Sequence, residues 1–466
     1  MVLRAVEQKV PVVELIGTIG LMIGLLIVIN CVNTYISGVD RYRKITLRGA
    51  VGALINDKCA TTSYCNVESK EFNKLKEKAG TCTNSNAAAA ESIWGTLFGL
   101  LRNIAGFIIY ILLLTNVEPL LLIIMLVTTI PGYYLNKYIG GWGYRHREES
   151  ADIKRAINCT IQAGGIEAAK DIRIFGMRTW FESMFTSSMR LLHAFHMRAA
   201  RVYIWSNIVD IVLTLLRNGI AYFYLINLVI DGGMAASEFL LYFSAVGGFT
   251  GWVWGILSDF ASLHNKCLDL SNAIECIRYP EPYKFEDGDP VPFDNNCPAE
   301  IRLENVSFRY PGAEEDTLKN VNLTLHPGER LAIVGLNGAG KTTLVKLISG
   351  LYDPTEGRVT WNGVDIRTLN RLEYYEKFSV IFQELTTIPG SLAVNVAASE
   401  TDIDMDKVKR CVAQADLMAK FESLPNGYET TLNREVYEDA VELSGGEMQR
   451  LMLARALYQN ASSFRS

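Results

Sequence analysis

Gly335-Leu336-Asn337-Gly338-Ala339-Gly340-Lys341-Thr342-Thr343 brings together the residue types needed to hold a chain of phosphates. Glycines at this density let the backbone curl. Successive N–H groups, here those of Gly335, Asn337, Gly338, Ala339 and Gly340, then point inward at phosphate oxygens. Lys341 supplies a full positive charge for the β- and γ-phosphates. The hydroxyls of Thr342 and Thr343 follow, Thr342 as a ligand for Mg²⁺. The alternative is a Gly-rich turn that binds nothing, and the complete G-x-x-x-x-G-K-T pattern weighs against it. The loop must be held by its neighbours. Leu331-Ala332-Ile333-Val334 reads as a buried strand entering it. Leu344-Val345-Lys346-Leu347-Ile348 reads as a helix leaving it, whose N-terminus adds partial positive charge at the same point.

The chain has 466 residues, room for two or three domains. Hydrophobic residues make up 49 % and charged residues 20 %, and the mean hydropathy is +0.14, apolar enough to predict membrane segments. A net charge of −5 gives no ground for a nucleic-acid partner. Cys59, Cys65 and Cys82 form the closest group of cysteines, but their spacing fits no zinc pattern, and they read as reduced thiols facing the cytosol. His193 and His196 share a helical face and read as structural.

Val12 to Cys31 is almost entirely apolar and matches the roughly 20 residues that a bilayer core requires. A signal peptide would have a shorter apolar core and a small-residue cleavage site. Further spans are predicted at 97–115 and 119–136, joined by Asn116-Val117-Glu118. Another pair is predicted at 208–230 and 239–258, joined by the stretch Asp231 to Glu238. The long loops 32–96 and 137–207 carry many basic residues, among them Arg41, Arg43, Lys44, Arg145, Arg147 and Lys154. The short links carry no Lys or Arg, so the long loops are placed in the cytoplasm. Their periodicity, for example over Ala168 to Phe185, reads as membrane helices prolonged into the cytosol. An odd number of spans would leave Met1 outside, so the reading is that one span is missing ahead of Val12 or that the N-terminus is atypical. Arg102, Asp210 and Arg217 lie within spans. Arg217 is assigned to a polar cavity, and for Arg102 a cavity and snorkelling to the interface stand equal.

Residues 1–280 are therefore assigned to an all-α polytopic membrane domain, 281–299 to a linker and 300–466 to an α/β domain. Glu286 to Pro298 is acidic and rich in Pro, Gly and Asn, as a linker is. Glu300 to Phe308 alternates in the manner of a half-exposed strand. With Val321 to Leu325 and Leu331 to Val334 as further strands between helices, an α/β core follows.

On these residues the chain resembles an ATP-binding cassette (ABC) exporter half-transporter, a membrane domain fused ahead of a nucleotide-binding domain. Gly335 to Thr343 matches the family's Walker A loop. Tyr310, in Phe308-Arg309-Tyr310-Pro311-Gly312, matches the aromatic that stacks on adenine. Gln383, in Val380-Ile381-Phe382-Gln383-Glu384, matches a glutamine expected to touch Mg²⁺. Leu443-Ser444-Gly445-Gly446-Glu447-Met448-Gln449-Arg450 matches the signature motif. The resemblance implies that Ser444, Gly445, Gly446 and Glu447 meet the γ-phosphate of ATP held by another subunit. It also implies short coupling helices, with candidates near Thr61 to Glu68 and Asn158 to Gly165. It implies ATP and Mg²⁺ as ligands and a dimer with a second half-transporter, identical or different. The location implied is the plasma membrane (the cell inner membrane), multi-pass and lipid-embedded, with the nucleotide-binding domain in the cytoplasm.

The family continues past the signature helix with a buried aliphatic strand that ends in the Walker B aspartate and the catalytic glutamate. A D-loop and a switch histidine come next. Here Asn460-Ala461 is followed by Ser462-Ser463-Phe464-Arg465-Ser466, whose serines and arginine do not suit a strand buried on both faces. No catalytic residue is identified, and the nucleotide-binding domain is expected to be incomplete. The reading is a fragment of an active exporter, with about five of six spans. The alternative is a natural subunit that binds nucleotide without hydrolysing it. A kinase or GTPase head on a membrane anchor would lack Ser444 to Glu447 and an aromatic such as Tyr310 ahead of the loop. The transported substrate is not indicated: peptides, lipids and drug-like molecules stay open. Phe249, Trp252 and Trp254 read as helix packing.

Overall fold

The computed structural model describes residues 11–115, 166–230, 236–292, 299–383, 386–433 and 437–459, together with seven single positions between 123 and 157. The predicted span 119–136 and the coupling candidate 158–165 lie outside the described residues, apart from a few isolated positions in the span. Helix α1 (Val12–Thr61) is followed by the short α2 (Tyr64–Glu68) and α3 (Lys70–Gly80). Then come α4 (Ala89–Thr115), α5 (Ile166–Ile174), α6 (Arg178–Ile230) and α7 (Ala236–Ile277). The chain divides into two compact units. One holds Met1–Ala53 with Lys78–Ala273, the other Leu54–Glu77 with Ile274–Ser466. The α/β unit thus takes in a segment from the first part of the chain.

Four described helices, most of whose residues belong to the first unit, are long and apolar enough to cross a membrane: Val12–Thr61, Ala89–Leu112, Arg178–Ile230 and Glu238–Ile277. Val12–Thr61, Arg178–Ile230 and Glu238–Ile277 take in the stretches 12–31, 208–230 and 239–258, and Ala89–Leu112 overlaps 97–115. Helix α1 has 50 residues, roughly 75 Å at about 1.5 Å per residue. That is well beyond a bilayer core of about 30 Å, so a crossing helix of this length extends past the core. The apolar stretch of α1 buries nothing against the protein. Such a surface calls for lipid around it. Helices α4 and α7 pack antiparallel with small residues opposite large ones. A Cβ on Gly106 would lie 2.5 Å from the Trp252 ring, and one on Gly248 would lie 2.9 Å from the Tyr110 ring. Asn103 donates to Asp259 at 2.8 Å in the same seam. Close backbone approach at glycines is how helices gain contact in lipid, where no hydrophobic drive exists between them. Phe249 is fully buried with its ring 5.4 Å from that of Phe107, so this aromatic serves packing.

The second unit has two cores. An antiparallel sheet in the order β2-β1-β3-β4 is made of β1 (Ile301–Phe308), β2 (Leu318–Leu325), β3 (Glu356–Trp361) and β4 (Val364–Asp365). Its buried residues, among them Leu303, Val306, Val359 and Trp361, pack with Leu347 of α8 (Lys341–Ile348). The other core is helical. After α9 (Arg371–Tyr375), it gathers α10 (Leu392–Ala397), α11 (Met405–Gln414), α12 (Met418–Ser423) and α13 (Gly445–Gln459) around Val396, Val412, Phe421 and Leu451. One expectation fails. Leu331 to Val334 forms no strand, and Ile333 and Val334 are 37 % and 93 % exposed. A strand exists by pairing its N–H and C=O groups, and no described segment pairs with this one. Apolar residues alone do not make it a strand.

Candidate functional site

The phosphate loop is shaped by its glycines. Gly338 and Gly340 have φ of +84° and +83°, a region that side chains avoid. A Cβ on Gly340 would also meet the Leu318 side chain at 2.7 Å. Gly340 precedes the first turn of α8, so the N-terminal N–H groups of that helix open onto the loop. Lys341 folds back and donates to the carbonyls of Gly335 at 2.8 Å and Leu336 at 2.7 Å. These are neutral acceptors that a phosphate oxygen can replace with a stronger, charged bond. The Ala339 N–H is committed to the Leu336 carbonyl at 3.2 Å, so the loop has to adjust at this position before that group can meet a phosphate.

The two threonines differ. Thr342 is exposed, whereas Thr343 is buried and shares a 3.0 Å hydrogen bond with the Tyr310 hydroxyl. Thr342 is therefore the hydroxyl open to a cation. Gln383 is also exposed, and among the described residues it makes no hydrogen bond to the loop. Both side chains offer oxygen, which suits Mg²⁺. Tyr310 packs edge-on against Phe308 at 4.9 Å and Tyr352 at 5.5 Å. It stands beside the P-loop helix although 33 residues separate it from Thr343.

The far end of α8 is anchored by side chains that no sequence motif announced. Arg371 is fully buried and donates to the Gly350 carbonyl at 2.7 Å and to Asp353 at 2.8 Å. Tyr374 donates to the Ile348 carbonyl at 2.7 Å, Tyr375 to that of Gly350 at 3.2 Å and Tyr283 to that of Leu351 at 2.8 Å. These donors satisfy the last carbonyl of α8, that of Ile348, and the carbonyls of Gly350 and Leu351 just past its end.

The signature stretch opens α13. The Ser444 N–H and hydroxyl both donate to Glu447 Oε2, at 2.7 and 2.9 Å, and the Glu447 N–H returns to Ser444 Oγ at 3.4 Å. This is a capping box, readable in the sequence as S-x-x-E. Bonds from the Ser444 backbone and hydroxyl hold the Glu447 carboxyl below its ordinary value, and Lys420 adds to this from 3.1 Å. Gly445 and Gly446 are exposed in the first turn.

The coupling candidate near Thr61 to Glu68 contains α2, which packs within the second unit. Glu68 accepts from the Tyr352 hydroxyl and from Lys346 at 3.1 Å. Burial opposes ionisation there, yet the bonds from Tyr352, Tyr64 and Lys346 outweigh it and keep the Glu68 carboxyl below its usual range. Glu281 accepts from Lys58 and from the Ser63 N–H and hydroxyl. Among the intramembrane charges, Arg102 is exposed and Asp210 lines a cavity of about 580 Å³ with Thr214, Asn218 and Tyr222. Arg217 is 3 % exposed and donates to Thr214 at 3.1 Å. It is absent from that cavity's lining.

Two family descriptions match the chain: "ABC transporter transmembrane region" over residues 81–253 and "ABC transporter" over 318–463. The ATP-dependent lipid A-core flippase of Chromohalobacter salexigens is 35 % identical over 181 residues, 39 % of this chain and 30 % of that protein. The colicin V secretion/processing ATP-binding protein CvaB of Escherichia coli is 31 % identical over 239 residues, 50 % of this chain and 32 % of that one. The chain thus spans about a third of the length of the curated relatives it matches. Among solved structures, a bacterial Atm1-family ABC exporter with ATP bound superposes with a TM-score of 0.77 at 20 % identity, covering 98 % of this chain and 79 % of that one. An apolar helical region and a phosphate-loop region in one polypeptide, each matched by its own family description, lead to one conclusion. The chain belongs to the ABC transporters and has the exporter-type half-transporter fold, a membrane region fused ahead of a nucleotide-binding region.

Proposed function

We propose that the chain is half of an ATP-driven exporter. In this role it binds ATP at Gly335 to Thr343 and works as a dimer with a second half-transporter, identical or different. The observation that carries this is the pairing of two helix starts in one unit. The start of α8 carries Lys341, and the start of α13 carries Ser444. In the proposed role, Lys341 leaves the Gly335 and Leu336 carbonyls for the β- and γ-phosphates. The N–H groups of Gly335, Asn337, Gly338, Ala339 and Gly340 donate to phosphate oxygens, and Tyr310 offers a ring face to adenine. Thr342 and Gln383 would hold Mg²⁺, which neutralises phosphate charge when bound. Ser444, Gly445, Gly446 and Glu447 face the γ-phosphate of ATP bound by the partner. No residue is assigned to activating water.

ATP-driven closure would favour one orientation of the membrane helices, a population shift through differential binding. The plasma membrane, with the nucleotide-binding region in the cytoplasm, is the location proposed, from the basic long loops. The relatives' names concern lipid A-core and colicin V, different cargoes, so none is carried over. The test is ATP binding and phosphate release by the purified full chain beside a Lys341→Ala control. Binding lost in the control supports the site. Phosphate release above the control supports turnover, and its absence with intact binding leaves a nucleotide-binding subunit instead.

A further inference from the structure

Helix α6 carries its charge unevenly. After Glu182 its next acid is Asp210, and between them lie Arg190, Arg198 and Arg201. The whole chain has a net charge of −5, so this stretch is basic against the trend. Its depth along the helix is also marked. Tyr203 and Trp205 follow, 41 % and 63 % exposed, and the apolar stretch 208–230 begins just beyond. Exposed Tyr and Trp beside an apolar span sit at the level of lipid headgroups. From Arg201 to Ile208 the helix rises only about 10 Å, at about 1.5 Å per residue.

At that level α6 borders a cavity of about 380 Å³, lined by Trp142, His146, Arg198, Arg201 and Val202. Arg198 and Arg201 are one turn apart on the same side of the helix. Trp142 and His146 supply flat aromatic surface. Their rings stack with centroids 4.1 Å apart, and His146 Nδ1 donates to the Trp142 carbonyl at 2.9 Å. Trp142 packs at 5.4 Å against the buried Phe195, and the Arg198 guanidinium lies 5.9 Å from that same ring. None of the described residues lining this cavity is acidic. The other cavity on α6 differs, because it falls within the apolar stretch and contains Asp210.

We propose that the cavity beside Arg198 and Arg201 binds the headgroup of an anionic phospholipid. The phosphate lies between the two guanidiniums and the glycerol lies against the aromatic surface. Guanidiniums offer paired N–H donors that match phosphate oxygens. Partial enclosure strengthens the pairing relative to open water. Basic pockets between membrane helices are where anionic headgroups bind. The proposal rests on 208–230 being a membrane span and is independent of the ATP reading. The competing view is that both arginines only snorkel to the interface. Snorkelling calls for charge alone, whereas a bound headgroup also needs the aromatic surface.

The experiment is native mass spectrometry of the detergent-solubilised full chain titrated with phosphatidylglycerol or phosphatidylcholine. It compares wild type, Arg201→Gln, Trp142→Leu and Arg190→Gln. Arg190 lies on the same helix but does not line the cavity, so its exchange removes equal charge away from the site. Arg201 is exposed, so its exchange leaves the core intact. The first phosphatidylglycerol should bind about tenfold more tightly than phosphatidylcholine, and Arg201→Gln should lose about fivefold of that preference. Trp142→Leu should lose about threefold with both arginines in place, and Arg190→Gln should stay within about twofold of wild type. A wild type with no preference for phosphatidylglycerol overturns the proposal. So does an Arg190→Gln loss equal to that of Arg201→Gln, or an unchanged Trp142→Leu, since either reduces the site to scattered charge. Glycerol phosphate, the headgroup without its chains, should not displace the lipid at equal concentration; full displacement would assign the cavity to a soluble anion instead. A chain that fails to float with lipid vesicles would overturn the span, and the site with it.

Discussion

The start of α8 carries the ammonium of Lys341, tied to two carbonyls of its own loop, while the start of α13 carries the carboxylate of Glu447, tied to Ser444. Both are helix N-termini, where backbone N–H groups and the helix dipole favour an anion. At α8 that place awaits an anion and is flanked by a cation. At α13 an anion from the chain itself already sits there. A triphosphate therefore gains fully at α8, but at α13 it must compete with Glu447. The difference gives the two ends unequal parts. In the proposed role, the first takes ATP unaided, and the second engages only a phosphate already held by another subunit.

The anchoring of the two helices differs as well, and the largest effect is expected there. Arg371→Ala removes the buried guanidinium that holds the carbonyl end of α8 and leaves Asp353 unpaired, at a cost of about 3–5 kcal/mol. Amide exchange should rise in α8 much more than in α13, which packs in the helical core; equal rises would show that the two are one cooperative element. A smaller effect is expected from Ser444→Ala, which removes the cap of α13 at about 1 kcal/mol, read from the denaturation midpoint of the nucleotide-binding unit.

The smallest effect is with pH. The folded Glu447 carboxyl titrates below its ordinary value of 4.5. Its contribution is therefore present above that value and is lost as pH falls through the depressed one. Exchange in the first turn of α13 should accelerate below about pH 4.5. The first turn of α8 has no acidic residue and should lack this acid step.

Much of this was legible in the sequence. Long apolar runs gave the helices α1, α4, α6 and α7, and alternation gave β1, because burial on one face leaves a period. The P-loop was legible because phosphate binding needs glycine, lysine and threonine at fixed steps. The stretch Leu331 to Val334 was misread, since a strand depends on a partner that composition does not reveal. Arg371 was invisible for the same reason: its acceptors come from Gly350 and Asp353, and nothing near it in sequence marks the contact. Glu68 looks like any helix-end acid until Lys346 and Tyr352 are placed beside it. The capping box at Ser444 was legible by its spacing. In it the glutamate at the fifth position of the signature, Glu447, occupies the helix start that the proposed role assigns to a phosphate.

The most direct test of the unequal roles is a calorimetric titration of ATP into the detergent-solubilised, monomeric full chain, comparing wild type, Lys341→Ala and Ser444→Arg. Lys341→Ala should weaken ATP by about tenfold to a hundredfold, the loss of a charge-assisted bond. Ser444→Arg should leave affinity within about twofold, because in the proposed role α13 serves the ATP of another subunit. Equal losses in the two variants, or a loss confined to Ser444→Arg, would contradict the account.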